Sequence, residues 1–328
     1  MQKKAFFITF LYLLIQTITC IQYQELSNVW QVWKSFHQKR YTSLEEALRF
    51  NIFQDNYKKI LQFNAQNESP KLALNKFADL TVKEFKTKHS CCAFYENDET
   101  FVRSNIKEHC HDPLPDSIDW RKKGAVYMVS DQGDCGACWA FAAVGAVEGF
   151  HAIQTGSILG FSEQQLIDCD LNNRGCGGGW PYLGLVYTAQ YGDCSHYDYP
   201  YTGTEGNCVY NPQKVTRSNT GFQFVNPKNK TALKAALTVN PVAVLIESDQ
   251  DVFQFYSSGI ITANCSSNVD HAVLAVGYTT INGTEAFIVK NSWGTGWGQA
   301  GYAYISSDPL QNNGTGVCGI LTQPSIPV

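Results

Sequence analysis

The sequence predicts an α+β protein in which a helical leading segment precedes a helix-rich lobe and a sheet-rich lobe, and three observations carry that prediction. Glu45, Arg49, Phe53, Asn56, Ile60 and Asn64 follow one another at spacings of three or four, one face of a long helix. From Leu114 to about Phe222 helical patterns predominate. In the segment Cys138 to Ile153, for example, Ala142, Val144, Ala146, Val147 and Phe150 can bury one broad side. Beyond Phe222, runs of Val, Ile, Phe and Tyr broken by Gly read as strands.

The chain is expected to divide into residues 1–20, 21–113 and 114–328. Lys3-Lys4 followed by the apolar run Ala5 to Ile15 reads as a signal peptide, with cleavage near Thr17 to Cys20. That run is too short to span a bilayer, and no later segment reaches transmembrane length. Entry into the secretory pathway follows. It agrees with twelve cysteines in the chain, a number suited to an oxidising compartment, and with Asn-x-Ser/Thr acceptors at Asn229, Asn264, Asn282 and Asn313. Asn264 is a weak acceptor because Cys265 follows it. Residues 21–113 hold 13 basic and 12 acidic side chains, net +1, whereas 114–328 hold 10 and 17, net −7. So acidic a surface excludes nucleic acid as a partner and suits an acidic compartment.

The chemistry concentrates in Gln132-Gly133-Asp134-Cys135-Gly136-Ala137-Cys138-Trp139, Val269-Asp270-His271-Ala272 and Lys290-Asn291-Ser292-Trp293. A thiol, an imidazole and a carboxamide are a nucleophile, its base and a group that orients the base. Cys138 opens a helix, whose positive end lowers a thiol pKa as a paired imidazolium does. His271 stands at the entrance of the apolar strand Ala272 to Tyr278. Asn291 follows a second strand, Glu285 to Lys290, which on returning beside the first brings the amide to the imidazole. Asp270 should point away from His271 if both lie on a strand. Taken alone, the Cys135–Cys138 spacing also fits a redox dithiol or half a zinc site, but a zinc site lacks a second close ligand pair and a dithiol leaves His271 and Asn291 unexplained. The chemistry calls for no metal and no cofactor.

Together these motifs resemble the papain family of cysteine proteases, and within it the cathepsin L-like endopeptidases, from about Trp30 onward. The stripe from Glu45 to Asn64 is the E, R, F, N, I, N pattern of the family's inhibitor prodomain. Ala73, Asn75, Phe77 and Asp79 resemble its second motif, with Ala73 where glycine is usual. The resemblance implies a papain-like two-lobed fold behind a helical inhibitor prodomain, with the mature N-terminus near Leu114 and the active site in the cleft between lobes. It makes Gln132 the oxyanion donor and Trp293 the screen over the His271–Asn291 pair. Disulfides Cys135–Cys176, Cys169–Cys208 and Cys265–Cys318 are implied, with Cys138 left as a free thiol. Cys91, Cys92, Cys110 and Cys194 have no place in that scheme; Cys194 is either free or tied to one of the other three. Gly178 and Gly179 would line the cleft and pair with substrate backbone. Carried over position by position, Trp180, Pro181, Leu245, Val269, Ala272 and Gln323 form the pocket for the residue two before the scissile bond, favouring a hydrophobic or aromatic side chain.

The expected function is that of an acid-activated endopeptidase zymogen acting on peptides and proteins, inhibited by its own prodomain, open to cystatin-type inhibitors, monomeric, and destined for a lysosome or vacuole or for secretion. Asp79 is a candidate for a carboxylate whose protonation releases the prodomain. No His-His insertion resembles a dipeptidase occluding loop, so internal cleavage is favoured. A catalytically silent binding or storage protein of the same fold is the alternative.

Overall fold

The computed structural model describes residues 24–89, 106–107 and 113–328. The expected leader over 1–20, and Cys91, Cys92 and Cys110, lie outside the described residues.

The leading segment folds around two helices, α1 over residues 24–36 and α2 over Ser43–Gln66. Thr42 caps α2 by accepting from the Glu45 N–H, and Glu45 and Glu46 place negative charge at the positive helix end. Phe53, Asn56 and Ile60 of the predicted stripe are buried. Phe53 packs against Trp30 and Trp33 of α1. The stripe's polar members hold the chain as it returns along the helix. Asn56 donates to the carbonyls of Ala78 and Leu80, Asn64 brackets Leu72, and Arg49 reaches both Glu84 and the Asp79 carbonyl. Helix α3, Val82–His89, follows.

The strands in chain order are β1 (Lys71–Leu72), β2 (Ile106–Lys107), β3 (Ile118–Asp119), β4 (Asp193–Cys194), β5 (Val215–Thr216), β6 (Phe222–Val225), β7 (Val242–Ile246), β8 (Tyr256–Ser258), β9 (Ile260–Ile261), β10 (His271–Ile281), β11 (Thr284–Lys290), β12 (Tyr302–Ser306) and β13 (Ser325–Pro327). The main sheet runs β2-β6-β13-β7-β10-β11-β12-β9, with β3 also paired to β10. Strands β10 and β11 pair antiparallel, as expected from the sequence, with Leu274 opposite Lys290. Helices α4 (Cys138–Thr155), α5 (Glu163–Cys169) and α6 (Pro181–Tyr191) form the other lobe, and α7 (Lys230–Val239) packs on the sheet side. The lobes are less cleanly divided along the chain than the sequence suggested. Strand β3 lies in the helical half by sequence yet belongs to the sheet, because its edge residues complete the pairing of β10.

Helix α4 is buried on nearly every side, from Cys138 and Trp139 through Val144, Val147 and Ala152. Small residues make this close fit workable: the methyls of Leu274 on β10 reach Gly145 so closely that an added Cβ would stand 2.9 Å from one of them. The helix ends at Gly156 in the left-handed conformation, whose N–H returns to the Ala152 carbonyl. The leading segment docks on the sheet lobe through backbone pairing of β1 with β8, the Ala73 N–H to the Phe255 carbonyl, and the Asn75 amide to the Gln254 carbonyl at 2.7 Å.

Candidate active site

Cys138 is the first residue of α4, and the preceding Ala137 supplies no side-chain cap. The positive helix end is thereby left to act on the sulfur. Across the lobe boundary the Ala272 N–H lies 3.3 Å from Cys138 Sγ. His271 opens β10, and its Nε2 meets Asn291 Oδ1 at 2.8 Å. That bond leaves Nδ1, which has no hydrogen-bond partner among the described residues, as the nitrogen for the thiol. Trp293 lies over the imidazole with ring centroids 4.7 Å apart and planes inclined by 24°. Asp270 turns away from the site and accepts from the Ser248 backbone and hydroxyl.

Gln132 is fully buried. Its Nε2 donates one hydrogen to the Cys135 carbonyl at 2.9 Å, and its Oε1 accepts from the Ser292 hydroxyl at 2.6 Å. The amide orientation is thus fixed with a second Nε2 hydrogen left for an oxyanion. Ser292 also donates its backbone N–H to Asn291 Oδ1, so one residue fixes both amides. Sequence reasoning passed over it, although its place between Asn291 and Trp293 was the available signal.

Gly178 and Gly179 are both buried beside Trp180. Gly178 takes φ 107°, and a Cβ on Gly179 would stand 2.2 Å from Asn173 Oδ1, so neither position admits a side chain. Trp180, Leu245 and Ala272 share one apolar cluster with Cys138, Val269 packs against it, and Leu245 stands opposite Ala272 across the β7–β10 ladder. Pro181 is buried at the start of α6, and Gln323 is half-buried.

Behind Asn291 the carboxyls of Glu148, Glu163 and Asp193 and the ammonium of Lys290 are enclosed together. Burial pushes all three acids upward and Lys290 downward; attraction between Lys290 and the two glutamates opposes this, whereas repulsion from Glu163 and Glu148 raises Asp193 further. Glu148 sits in an otherwise apolar helix, a signal that the sequence carried and its reading did not use.

Disulfides Cys135–Cys176, Cys169–Cys208 and Cys265–Cys318 are formed, and Cys194 is a buried free thiol. Cys138 departs from expectation: it is disulfide-bonded, to a partner outside the described residues. Helix α3 ends with His89 Nδ1 at 3.1 Å from the Gly133 carbonyl, beside the loop that leads to Cys138. A bonded sulfur is neither nucleophile nor alkylation target. Labelling of acid-treated protein by a thiol-reactive peptide epoxide is therefore expected only when a dithiol reductant is also present; equal labelling without reductant would contradict this.

The site is covered as well as bonded. Phe77 and Phe85 stand edge-on to Trp293 at 5.3 and 5.2 Å, and His89 packs on both phenylalanines. Burial pushes the His271 imidazole down to about 4, against the upward pull of Asn291 and with a further downward push from His89. The covered base is therefore neutral, and an imidazolium–thiolate pair must await removal of the prodomain. Asp79, the candidate acid-sensitive carboxylate, is buried among Lys39 and Tyr41 of its own segment and so organises the prodomain.

A helix-borne cysteine, an imidazole held by a carboxamide and a fixed amide donor, spread over two lobes and covered by a docked leading segment, define a cysteine protease precursor. The chain belongs to the papain family of cysteine proteases: the model of that family matches residues 114–328, and that of the cathepsin propeptide inhibitor domain matches 30–85. It is 40% identical to papain of Carica papaya over 310 residues, covering 93% of this chain and 88% of papain. With the KDEL-tailed cysteine endopeptidase CEP2 of Arabidopsis thaliana it shares 36% over 357 residues, covering 100% and 95%. Among solved structures, the digestive procathepsin L2 proteinase of Tenebrio molitor larval midgut superposes with a TM-score of 0.84 at 34% identity, covering 92% of this chain and 99% of that one. The protein is accordingly a secretory-pathway cysteine endopeptidase made with an inhibitory propeptide. Among the described residues no helix is long and apolar enough to cross a membrane.

Proposed function

We propose that residues 1–20 direct secretion, that 21–113 inhibit, and that 114–328 hydrolyse internal peptide bonds through Cys138, His271, Asn291 and Gln132. The observation that carries this is the 2.8 Å His271–Asn291 bond set beside the sulfur at the head of α4. Reduced Cys138 attacks the scissile carbonyl, and its backbone N–H and the Gln132 amide hold the oxyanion. His271 passes the proton to the leaving amine, and water then releases the acyl group. Each oxyanion donor contributes about 3 kcal/mol by analogy with other proteases. The enzyme acts as a monomer in a lysosome-like or vacuolar compartment or outside the cell, and cystatin-type inhibitors fit the same cleft. Cleavage of a diverse peptide library by acid-treated, reduced protein tests internal against terminal cleavage and side-chain preference together.

The pocket at Trp180, Pro181, Leu245, Val269, Ala272 and Gln323 takes a hydrophobic or aromatic residue. Shortening Leu245 to Ala should shift preference toward larger aromatics by about 1–3 kcal/mol at most. Exchanging Gln323 for Glu should raise acceptance of arginine by supplying a charge partner. Library profiles left unchanged by both variants would remove these positions from the pocket.

Activation by acid finds a residue in His89. Only 5% exposed, it is held between Phe77, Phe85 and the Gly133 carbonyl, with Lys76, Lys88, Asp134 and His271 as its charged or titratable neighbours. Burial pushes its pKa down to about 4, with Asp134 pulling upward and the lysines downward. A released prodomain returns it to about 6.5. The docked state therefore has its full stability above about pH 6.5 and loses it as pH falls toward 4, by about 3 kcal/mol in all. His89→Gln should flatten the rise in activation rate between those values; an unchanged pH profile would exclude this role.

A further inference from the structure

Four lysines of the prodomain meet carboxylates of the enzyme. Lys76 lies 2.5 Å from Asp131, Lys86 2.7 Å from Asp249 and 3.9 Å from Asp270, Lys88 2.9 Å from Asp134, and Lys59 3.6 Å from Asp251. Four of these carboxylates, those of Asp131, Asp134, Asp249 and Asp270, lie on segments that lead directly to Trp293, Gln132 or His271 or to a residue packed on them. Asp131 forms a backbone bridge with Trp293 itself. Asp134 is two residues beyond Gln132. Asp249 shortly precedes the short helix α8, Asp251–Gln254, whose Phe253 packs on Trp293. Asp270 immediately precedes His271.

When the prodomain is removed its lysines go with it, and the acids stay. The case of Asp270 is the sharpest. Its side chain is only 6% exposed, Oδ1 is held by Ser248, and Oδ2 has no hydrogen-bond partner among the described residues, so Lys86 is the cation facing that oxygen. Burial has raised this carboxyl to about 6, so above that pH it is a nearly buried carboxylate that favours a replacement cation. The enzyme half, at net −7 from 10 basic and 17 acidic residues, adds a field of the same sign. The surface is thus already shaped and charged for lysine side chains carried on an extended or helical chain.

Its position fixes which part of a substrate it meets. The acyl portion lies along Gly178–Gly179 and the pocket at Trp180 and Leu245, so the departing amine and the residues beyond it lie toward His271 and Trp293. We propose that the mature enzyme selects substrates with lysine or arginine in the residues after the scissile bond, bound by Asp131, Asp134, Asp249 and Asp270, the acids that prodomain lysines occupy in the precursor. This rests on the cleavage centre assigned above. The prodomain in this view inhibits partly by presenting the side chains that the cleft selects.

The test uses mature enzyme and quenched peptides identical up to the scissile bond, bearing Lys, Gln or Glu at the first three positions after it. The account predicts kcat/KM about tenfold higher for the Lys than for the Glu peptide, falling toward equality in about 0.5 M salt. In Asp134→Asn and Asp249→Asn that ratio should drop about threefold each, a modest effect fitting exposed or partly exposed pairs. Asp308→Asn, which removes one charge outside this rim, should keep the ratio. A Gln peptide that is cleaved with no advantage for Lys, or an advantage that all three variants share equally, would overturn the proposal. Failure to cleave any of the peptides would instead overturn the protease assignment beneath it.

Discussion

Cys138→Ala is expected to fold normally yet cleave peptides at least about 10⁴-fold more slowly than the reduced, acid-activated parent. The exchange removes one sulfur from a buried helix end that has no side-chain cap to lose, so circular dichroism and melting should change little. It also removes the disulfide that Cys138 forms, so parent and variant are compared in the reduced state. His271→Ala should silence the enzyme to a similar degree, because the base and the proton donor are the same imidazole. Asn291→Ala should cost less: the imidazole loses its 2.8 Å bond to the amide but stays stacked against Trp293. The ordering Cys138 and His271 above Asn291 is measured by kcat/KM on one peptide at several pH values. Turnover in Cys138→Ala comparable to the parent would remove the nucleophile from the mechanism.

Phe85→Ala is expected to release the prodomain. The ring is fully buried and stands against Phe77, His89 and Trp293, so the substitution opens a cavity at the centre of the docking surface. Loss of a buried phenylalanine ring costs about 3–5 kcal/mol, equivalent to a weakening of more than about 10²-fold if it falls on docking. In the presence of reductant at neutral pH, the variant precursor should hydrolyse peptide while the parent stays latent. Lys83→Ala, an exposed change on the same helix, should remain latent and so separates the effect from mere alteration of α3. Equal latency of the Phe85 variant and the parent would show that the aromatic contact with Trp293 does not hold the block.

Much of this arrangement is legible in the residues and their spacing, and the part that is not has a physical cause. Periodicity located α2 because Phe53, Asn56 and Ile60 must share a face. It could not tell that Asn56, Asn64 and Arg49 use their side chains to fix backbone carbonyls and amides more than twenty residues away in two of the three cases, since such bonds depend on how the chain returns. The alternation and length of β10 and β11 put His271 and Asn291 side by side correctly. Ser292, by contrast, gained its role only when Gln132 was brought across from a residue 160 positions away. Burial was also hidden: Lys290 ends an ordinary strand in sequence, but in the fold it lies among Glu148 and Glu163. The partners of Asp79 were hidden for the same reason, because an acidic residue in a motif does not reveal that its cation and hydroxyl, Lys39 and Tyr41, come from its own segment. The bonding of Cys138 was invisible because the spacing of cysteines in a sequence does not reveal which thiols meet.

The most direct test of the account is to label acid-activated, reduced protein with a thiol-reactive peptide epoxide and locate the adduct by mass spectrometry of its peptides. The account predicts a single adduct on Cys138, in a chain that begins near Leu114, with loss of peptide hydrolysis in proportion to labelling. An adduct confined to another cysteine, or full hydrolysis persisting in protein whose Cys138 is completely labelled, would contradict it.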